Sequence, residues 1–200
     1  MNNLRAEDLM EQSPQAVLQN CGLVDFSDLA RVGFRGMQSR EYLQNRGFEL
    51  PERPNQAVVQ TDGSYVARLS ATEYLILGSL QDRGQRIADE EARWELDHQA
   101  NYLLPRHDSH AWLQLSGVHI AEIMAKLCGV DLRTQAFTLG DVVQTSAARI
   151  NVIIINVGLD NVPCFQILCD RASKEYFADA VLDAMAEYGG KALSFSTIMH

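Results

Sequence analysis

The tetrapeptide Val58-Val59-Gln60-Thr61 recurs letter for letter as Val142-Val143-Gln144-Thr145, at an offset of 84 residues (58 to 142). Other matches run in the same order. Gly36 with Glu41 corresponds to Gly117 with Glu122, at an offset of 81. Glu49-Leu50 corresponds to Asp131-Leu132 at 82, and Val66-Ala67-Arg68-Leu69 to Ala147-Ala148-Arg149-Ile150 at 81. Ordered matches with a drifting offset are what a diverged duplication leaves behind. A chain of 200 residues built this way must fold one unit twice and bury the copies together.

Local patterns describe that unit. A helical segment, residues 1–24, comes first: one helix over Leu4–Asn20 or, with Ser13-Pro14 as a cap and first-turn pair, two short ones, with Gly22 as a stop. The first repeat, residues 25–100, begins with a strand over Leu29–Phe34, punctuated by Gly36. A helix over Met37–Arg46 is stopped by Gly47, and Pro51 and Pro54 mark a loop. Strands over Ala57–Thr61 and Tyr65–Leu69 flank the turn Asp62-Gly63-Ser64, and Tyr74–Leu77 is a third strand. A charged helix over Gln81–Gln99 has Ile87, Trp94 and Leu96 as anchors.

The second repeat, residues 101–200, reads alike. A strand over Ala111–Leu115 leads to a helix over Val118–Cys128, where Ile120, Ile123, Met124, Leu127 and Cys128 form one face; Gly129 ends it. Strands over Asp141–Thr145, Ala148–Val157 and Pro163–Cys169 follow, with a turn at Gly158–Asn161. A helix over Ser173–Tyr188 and a short terminal strand carrying Leu193, Phe195 and Ile198 close the chain. The prediction is an α+β fold of two pseudo-symmetric strand–helix–strand–strand–strand–helix halves. The sheet is mostly antiparallel with helices on one face, and each half packs as two layers around strands with one polar side.

Charge narrows the function. A net charge of −9 and a pI of about 5.0 repel nucleic-acid phosphates and anionic membranes. The densest basic stretch, Arg31, Arg35 and Arg40, is broken by apolar residues. The polar, acidic N-terminus lacks the basic start and apolar run of a signal peptide, and apolar runs such as Val152–Ile155 fall far short of a membrane span. A cytoplasmic location is expected. The cysteines Cys21, Cys128, Cys164 and Cys169 form no CxxC pair and read as reduced core residues.

Neither a GxGxxG nor a GxxxxGK[ST] pattern occurs. His107-Asp108-Ser109-His110 is a dense polar cluster, but triads assemble from distant positions, and after Pro105 these residues read as a turn. No catalytic or metal-binding residue is therefore assigned. Arg68 and Arg149 fall at matched positions and are the candidates for a carboxylate clamp, for instance on the glutamate tail of a folate; an inherited ion pair is the preferred reading. Asp25 is either a lone proton-transfer acid or, as preferred, a cap before the first strand. Trp94 and Trp112 read as core or interface anchors. The charged segment Asp82–Asp97 is a solvated helix or a docking face.

Several stretches together resemble the gamma-subunit family of heterotetrameric sarcosine oxidase. They are Leu115-Ser116-Gly117, Leu127-Cys128-Gly129-Val130-Asp131-Leu132, Val143-Gln144-Thr145 with Arg149, and Phe165–Asp170 followed by Arg171-Ala172-Ser173. In the first half, Ala67-Arg68-Leu69 before Glu73-Tyr74-Leu75-Ile76-Leu77 also fits, so the resemblance runs from about Asp25 to Tyr188. It implies a fold like the folate-binding domain of aminomethyltransferases such as the glycine-cleavage T-protein. It also implies a chain without a cofactor, whose partners hold FAD, FMN, NAD and tetrahydrofolate. The partners would be a large alpha-type subunit with NAD and folate sites and a flavin-bearing beta-type subunit that oxidises sarcosine to an imine. The one-carbon unit passes to tetrahydrofolate, giving 5,10-methylenetetrahydrofolate, glycine and hydrogen peroxide. The chain lacks the KGCxxGQE-like segment of stand-alone folate-dependent iron–sulfur repair relatives. Cousin complexes acting on other N-methyl amino acids have similar small subunits. The alternative is a stand-alone folate-binding or aminomethyl-transfer protein, with a pocket between the halves faced by Arg68 or Arg149. A subunit should expose an apolar patch where its partner sits.

Overall fold

A computed structural model describes residues 13–159 and 162–198. The part of the expected first helix before residue 13, and Asp160 and Asn161 of the expected turn, lie outside the described residues. Helix α1 (Pro14–Asn20) is capped by Ser13, whose Oγ accepts the Ala16 N–H at 3.2 Å. Strand β1 (Gly22–Asp25) follows, so Gly22 begins a strand as well as ending the helix. Then come β2 (Arg31–Arg35), α2 (Ser39–Asn45), β3 (Gln56–Val59), β4 (Tyr65–Arg68), β5 (Glu73–Leu77) and α3 (Gln85–Ala92). The second half has β6 (Tyr102–Leu104), a single helical turn α4 (Arg106–Ser109), β7 (His110–Ser116) and α5 (Ile120–Leu127). It continues with β8 (Val142–Ala147), β9 (Ile150–Asn156), β10 (Cys164–Asp170), α6 (Lys174–Met185), β11 (Lys191–Leu193) and the short α7 (Phe195–Ile198), so of the expected terminal strand only Leu193 is extended, and Phe195 and Ile198 lie in a helical turn.

Two sheets form, in the orders β3-β4-β5-β2-β6 and β8-β9-β10-β7-β1-β11. Every pairing is antiparallel except β1 with β11. Apart from β11, which has no counterpart in the smaller sheet, the orders match element for element, but β1 and β6 have changed places. β1 precedes β2 in sequence and pairs with β7; β6 precedes β7 and pairs with β2. Each repeat thus lends its first strand to the other's sheet, and sheet membership does not follow a boundary at residue 100. Neither strand was read from the sequence, because three or four residues are too few to show a period.

Two glycines make the exchange sterically possible. Gly36 and Gly117 end β2 and β7 with φ of 148° and 131°. A Cβ on Gly36 would collide with the carbonyl of Ala100, just before β6; one on Gly117 would collide with that of Asn20, just before β1. Their amides donate to equivalent carbonyls, Thr72 O and Pro163 O, each at 3.0 Å.

The sheets also touch edge to edge. Ala57 N donates to Gly140 O at 2.7 Å and Val142 N to Asn55 O at 3.0 Å, around a Gln56–Asp141 bridge. This reciprocal pair fixes the true register of the repeat at an offset of 85 (57 to 142), not the 84 of the tetrapeptide match. The difference matters because one residue of slip moves a strand's side chains to the opposite face. In the true register Ala57 and Val142 both face the space between the sheets, and Val58 and Val143 both face the outer helices.

Helices cover only the outer face of each sheet. α5 and α6 pack on the larger sheet through Ile123, Met124, Phe177 and Val181, and α2 and α3 on the smaller through Leu43 and Ile87. The inner faces pack on each other through Val24, Phe26, Leu75, Leu77, Trp112, Ile155 and Leu168. The result has four layers, helix–sheet–sheet–helix. The side of each sheet expected to be polar is instead largely a second core, as in β5, where every residue is buried. α3 is shorter than the expected Gln81–Gln99. It is held by Ile87 and Glu90, whereas Leu96 is 68% exposed and anchors nothing.

The glycine geometry gives a stability test. Gly36→Ala and Gly117→Ala should each cost ~3 kcal/mol or more, since backbone must move. Gly47→Ala, also at positive φ (78°) but with open space around it, should cost only ~1–2 kcal/mol. Urea denaturation of the three variants checks the difference.

Candidate functional site

Arg68 and Arg149 do not come together. Arg68 ends β4, and its guanidinium donates to the carbonyls of Glu52, Ser70 and Ala71. It ties down the loop before β3. Its counterpart in the true register is Asn156, whose Nδ2 holds the matching loop through Phe137 O at 2.8 Å. Arg149 sits in the tight turn between β8 and β9, where Ala148 and Arg149 both take positive φ, 48° and 68°. It is exposed on the rim of a polar groove shared with Ser109, Asn151, Asp170 and Ser173. The matched positions read from the sequence are therefore not structural equivalents.

The His107–His110 cluster forms the α4 turn and the start of β7. Ser109 Oγ lies 2.7 Å from His110 Nδ1, and His110 Nε2 lies 3.3 Å from Arg106 Nη1. A guanidinium only donates, so Nε2 must accept and the ring proton sits on Nδ1, facing the serine. The imidazole cannot take the serine's proton in that tautomer, and the pair has no nucleophile-activating geometry. Burial, then the charges of Arg106 and Arg31, push the His110 pKa down from 6.5 to about 4. Arg106 and Arg35 both pair with the buried Glu73.

Asp25 ends β1. Its Oδ1 accepts the Ser27 N–H at 2.8 Å and its Oδ2 meets Lys174 Nζ at 2.8 Å. Burial would raise its pKa, but the bonds from Lys174 and Ser27 prevail and hold it below the ordinary value. Such a carboxylate stays ionised and serves as a turn cap.

In the sequence Arg31 is only part of a basic stretch, yet in the fold it is fully buried. It donates to Ser27 O at 3.0 Å, Leu29 O at 2.7 Å, His107 O at 3.2 Å and twice to His110 O. Burial lowers its pKa to about 10, so it remains a cation at neutral pH. Burial also raises the thiols of Cys21 and Cys169 to about 11 and of Cys164 to about 12, which makes them unreactive. Among the described residues no group of three His, Cys, Asp or Glu side chains could hold a metal, and no helix is long and apolar enough to cross a membrane.

The best-formed candidate site lies between the sheets. A cavity of about 300 Å³ is lined by Phe26, Tyr65, Trp112, Gln114, Cys164 and Gln166, among others. Trp112 Nε1 donates to Gln166 Oε1 at 2.6 Å, and Gln166 Nε2 to Gln114 Oε1 at 2.9 Å. That chain leaves the Gln114 amide nitrogen, on a residue only 6% exposed, with no acceptor among the described residues. Trp112, Gln114, Gln166 and Cys164 occupy the positions that Arg31, Gly33, Leu75 and Glu73 hold in the first half. There the equivalent space is filled: Arg106 lies over Gly33, where a Cβ would meet its Nε at 3.0 Å, and pairs with Glu73. One of two pseudo-symmetric spaces is thus closed by an ion pair and the other stays open. Gln114 and Gln166 interrupt otherwise apolar strands, the one signal in the sequence that could have pointed here. A second cleft of about 390 Å³ adjoins the first through Tyr65 and Val157 and follows the seam between β3 and Leu139-Gly140.

A mostly antiparallel α+β fold with exchanged first strands is the class this geometry defines. No family model matches the chain, and no curated protein matches it in sequence. Solved structures share the fold. One chain of heterotetrameric sarcosine oxidase from Corynebacterium sp. U-96, in complex with pyrrole 2-carboxylate, superposes with a TM-score of 0.69 at 22% identity, covering 91% of this chain and 98% of that one. Glycine cleavage system aminomethyltransferase T from Bartonella henselae gives 0.61 at 13% identity, covering 90% of this chain. The chain spans about half of that enzyme, 51%. These are the two folds that the sequence resemblance implied.

The low pKa of His110 gives a pH signature. Below pH 6.5 the unfolded chain takes up a proton that the folded chain refuses, so stability falls as pH falls toward about 4. The loss should be on the order of 2–3 kcal/mol. His110→Gln should flatten that part of the curve, whatever its effect at pH 7, as measured by denaturation across pH 4–7.

Proposed function

We propose that this chain is a cofactor-free, gamma-type subunit of a cytoplasmic flavin-dependent amine oxidase of the heterotetrameric sarcosine oxidase kind. The observation that carries the reading is the coverage. The chain matches 98% of one chain of a heterotetrameric oxidase but only about half of an aminomethyltransferase. The shared fold spans nearly all of the first chain and about half of the second. In this reading FAD, FMN, NAD and tetrahydrofolate belong to a large alpha-type and a flavin-bearing beta-type partner, and oxidative demethylation of sarcosine takes place there. This chain supplies a rigid surface. Neither nucleic acid nor a membrane is a partner, in keeping with its net charge of −9.

A tagged copy in the native host should bring down a yellow complex containing a larger chain, active on sarcosine or a related N-methyl amino acid. A colourless protein recovered alone would sink the proposal.

The open cavity favours one second reading, a stand-alone folate-binding or aminomethyl-transfer protein. Its floor offers the Gln114 amide and the Trp112 ring to a flat, polar-edged ligand. Neither Arg68 nor Arg149 lines it, so the clamp expected for a glutamate tail is not at this position. Tetrahydrofolate titrated into the isolated chain and followed by tryptophan fluorescence separates the readings. The subunit reading expects no saturable change. Saturable quenching that is lost in Gln114→Leu would support the second.

A further inference from the structure

Large apolar side chains stand exposed around the two adjoining clefts. Val59 is 56% exposed and Leu139 72%, and Leu80 and Leu159 are 37% each. Val59 lines the seam cleft with Leu139, while Leu80 and Leu159 line the inter-sheet cavity.

The edge of β3 is open at the same place. Ala57 directs its N–H away from β4, toward Gly140. In an antiparallel strand the residue two further on points the same way. The N–H and C=O of Val59 therefore face outward, past the point where Leu139-Gly140 turns off, and meet no partner among the described residues. An unpaired edge flanked by apolar side chains is a template for an incoming strand.

Charge narrows the occupant. Among the described residues Glu49 is the only charged side chain lining either cleft, and it is exposed and in no ion pair. A cationic residue at the edge of the incoming segment would complement it.

We infer that this seam is the docking face for the larger subunit, and that it takes an extended apolar segment of that subunit, carrying a Lys or Arg opposite Glu49, as an added strand beside Val59. The inference rests on the subunit reading above. The segment's main chain pairs with Val59, its apolar side chains cover Leu139 and Leu159, and its cation sits over Glu49.

The test uses the tagged full-length chain in its native complex, with recovery of the larger, flavin-associated chain as the readout. Val59→Glu and Leu139→Glu change exposed positions, so thermal unfolding of the isolated variants should match the parent. Each should cut recovery at least tenfold. Met37→Glu, at an 80% exposed position away from both clefts, should leave it unchanged. Glu49→Lys should weaken recovery roughly fivefold. Hydrogen exchange at the Val59 amide should slow at least tenfold in the complex relative to the isolated chain. Full recovery with both glutamate variants, or a Val59 amide equally fast in the complex, overturns the docking face and leaves the subunit reading standing. Equal loss with Met37→Glu also overturns the location. A parent chain that recovers no larger partner overturns both.

Discussion

One guanidinium holds the crossing on which the architecture depends. The chain passes from β1 to β2 through residues 26–30 and from β6 to β7 through residues 105–109, and in each passage it leaves one sheet for the other. Arg31 donates to Ser27 O and Leu29 O in the first passage and to His107 O and His110 O in and beside the second. A buried charge without such bonds would cost several kcal/mol, and the carbonyls without the charge would be left unsatisfied. The arginine and the two crossings stabilise one another.

Apart from the added β11, the duplication is kept in topology and broken in chemistry. Gly36 with Gly117, and the bonds from Ala57 and Val142, keep the symmetric frame. Between the sheets the copies diverge. In one, Arg31, Arg106 and Glu73 fill the space with charge; in the other, Trp112, Gln114 and Gln166 leave a cavity with an unused amide. The first space is closed by the Arg106–Glu73 ion pair over Gly33. The other opens beside the β3–β8 seam, where Val59 and Leu139 stand exposed.

This division orders the functional readings. The polar groups that look most like chemistry in the sequence are tied up in structure: His110 by Arg106, Asp25 by Lys174, Arg68 by three carbonyls. Among the described residues an apolar seam and a small inter-sheet cavity stay open, apart from polar clefts such as the groove at Arg149. The apolar seam is the surface on which the proposed subunit would meet its partner.

The sequence by itself determined the unit and its repetition, because turns, helix stripes and glycine stops are local. The Val118–Cys128 stripe became α5, the Asp62-Gly63-Ser64 turn joined β3 to β4, and Ser13 capped α1. It also carried the resemblance that the solved neighbours match in fold. Only the tertiary structure decided the register, the exchange of β1 and β6, and the face-to-face packing of the sheets. Letter identity aligned Arg68 with Arg149, but hydrogen bonds across the seam pair Arg68 with Asn156 and put Arg149 in a turn. Short strands carry no period, and their partners lie far off in sequence, from 67 residues (Arg35 to Tyr102) to 94 (Gly22 to Ser116), so neighbouring sequence holds no information on where they pair. Arg31 was invisible for the same reason: a charged residue reads as surface until the carbonyls that surround it are brought together by the fold.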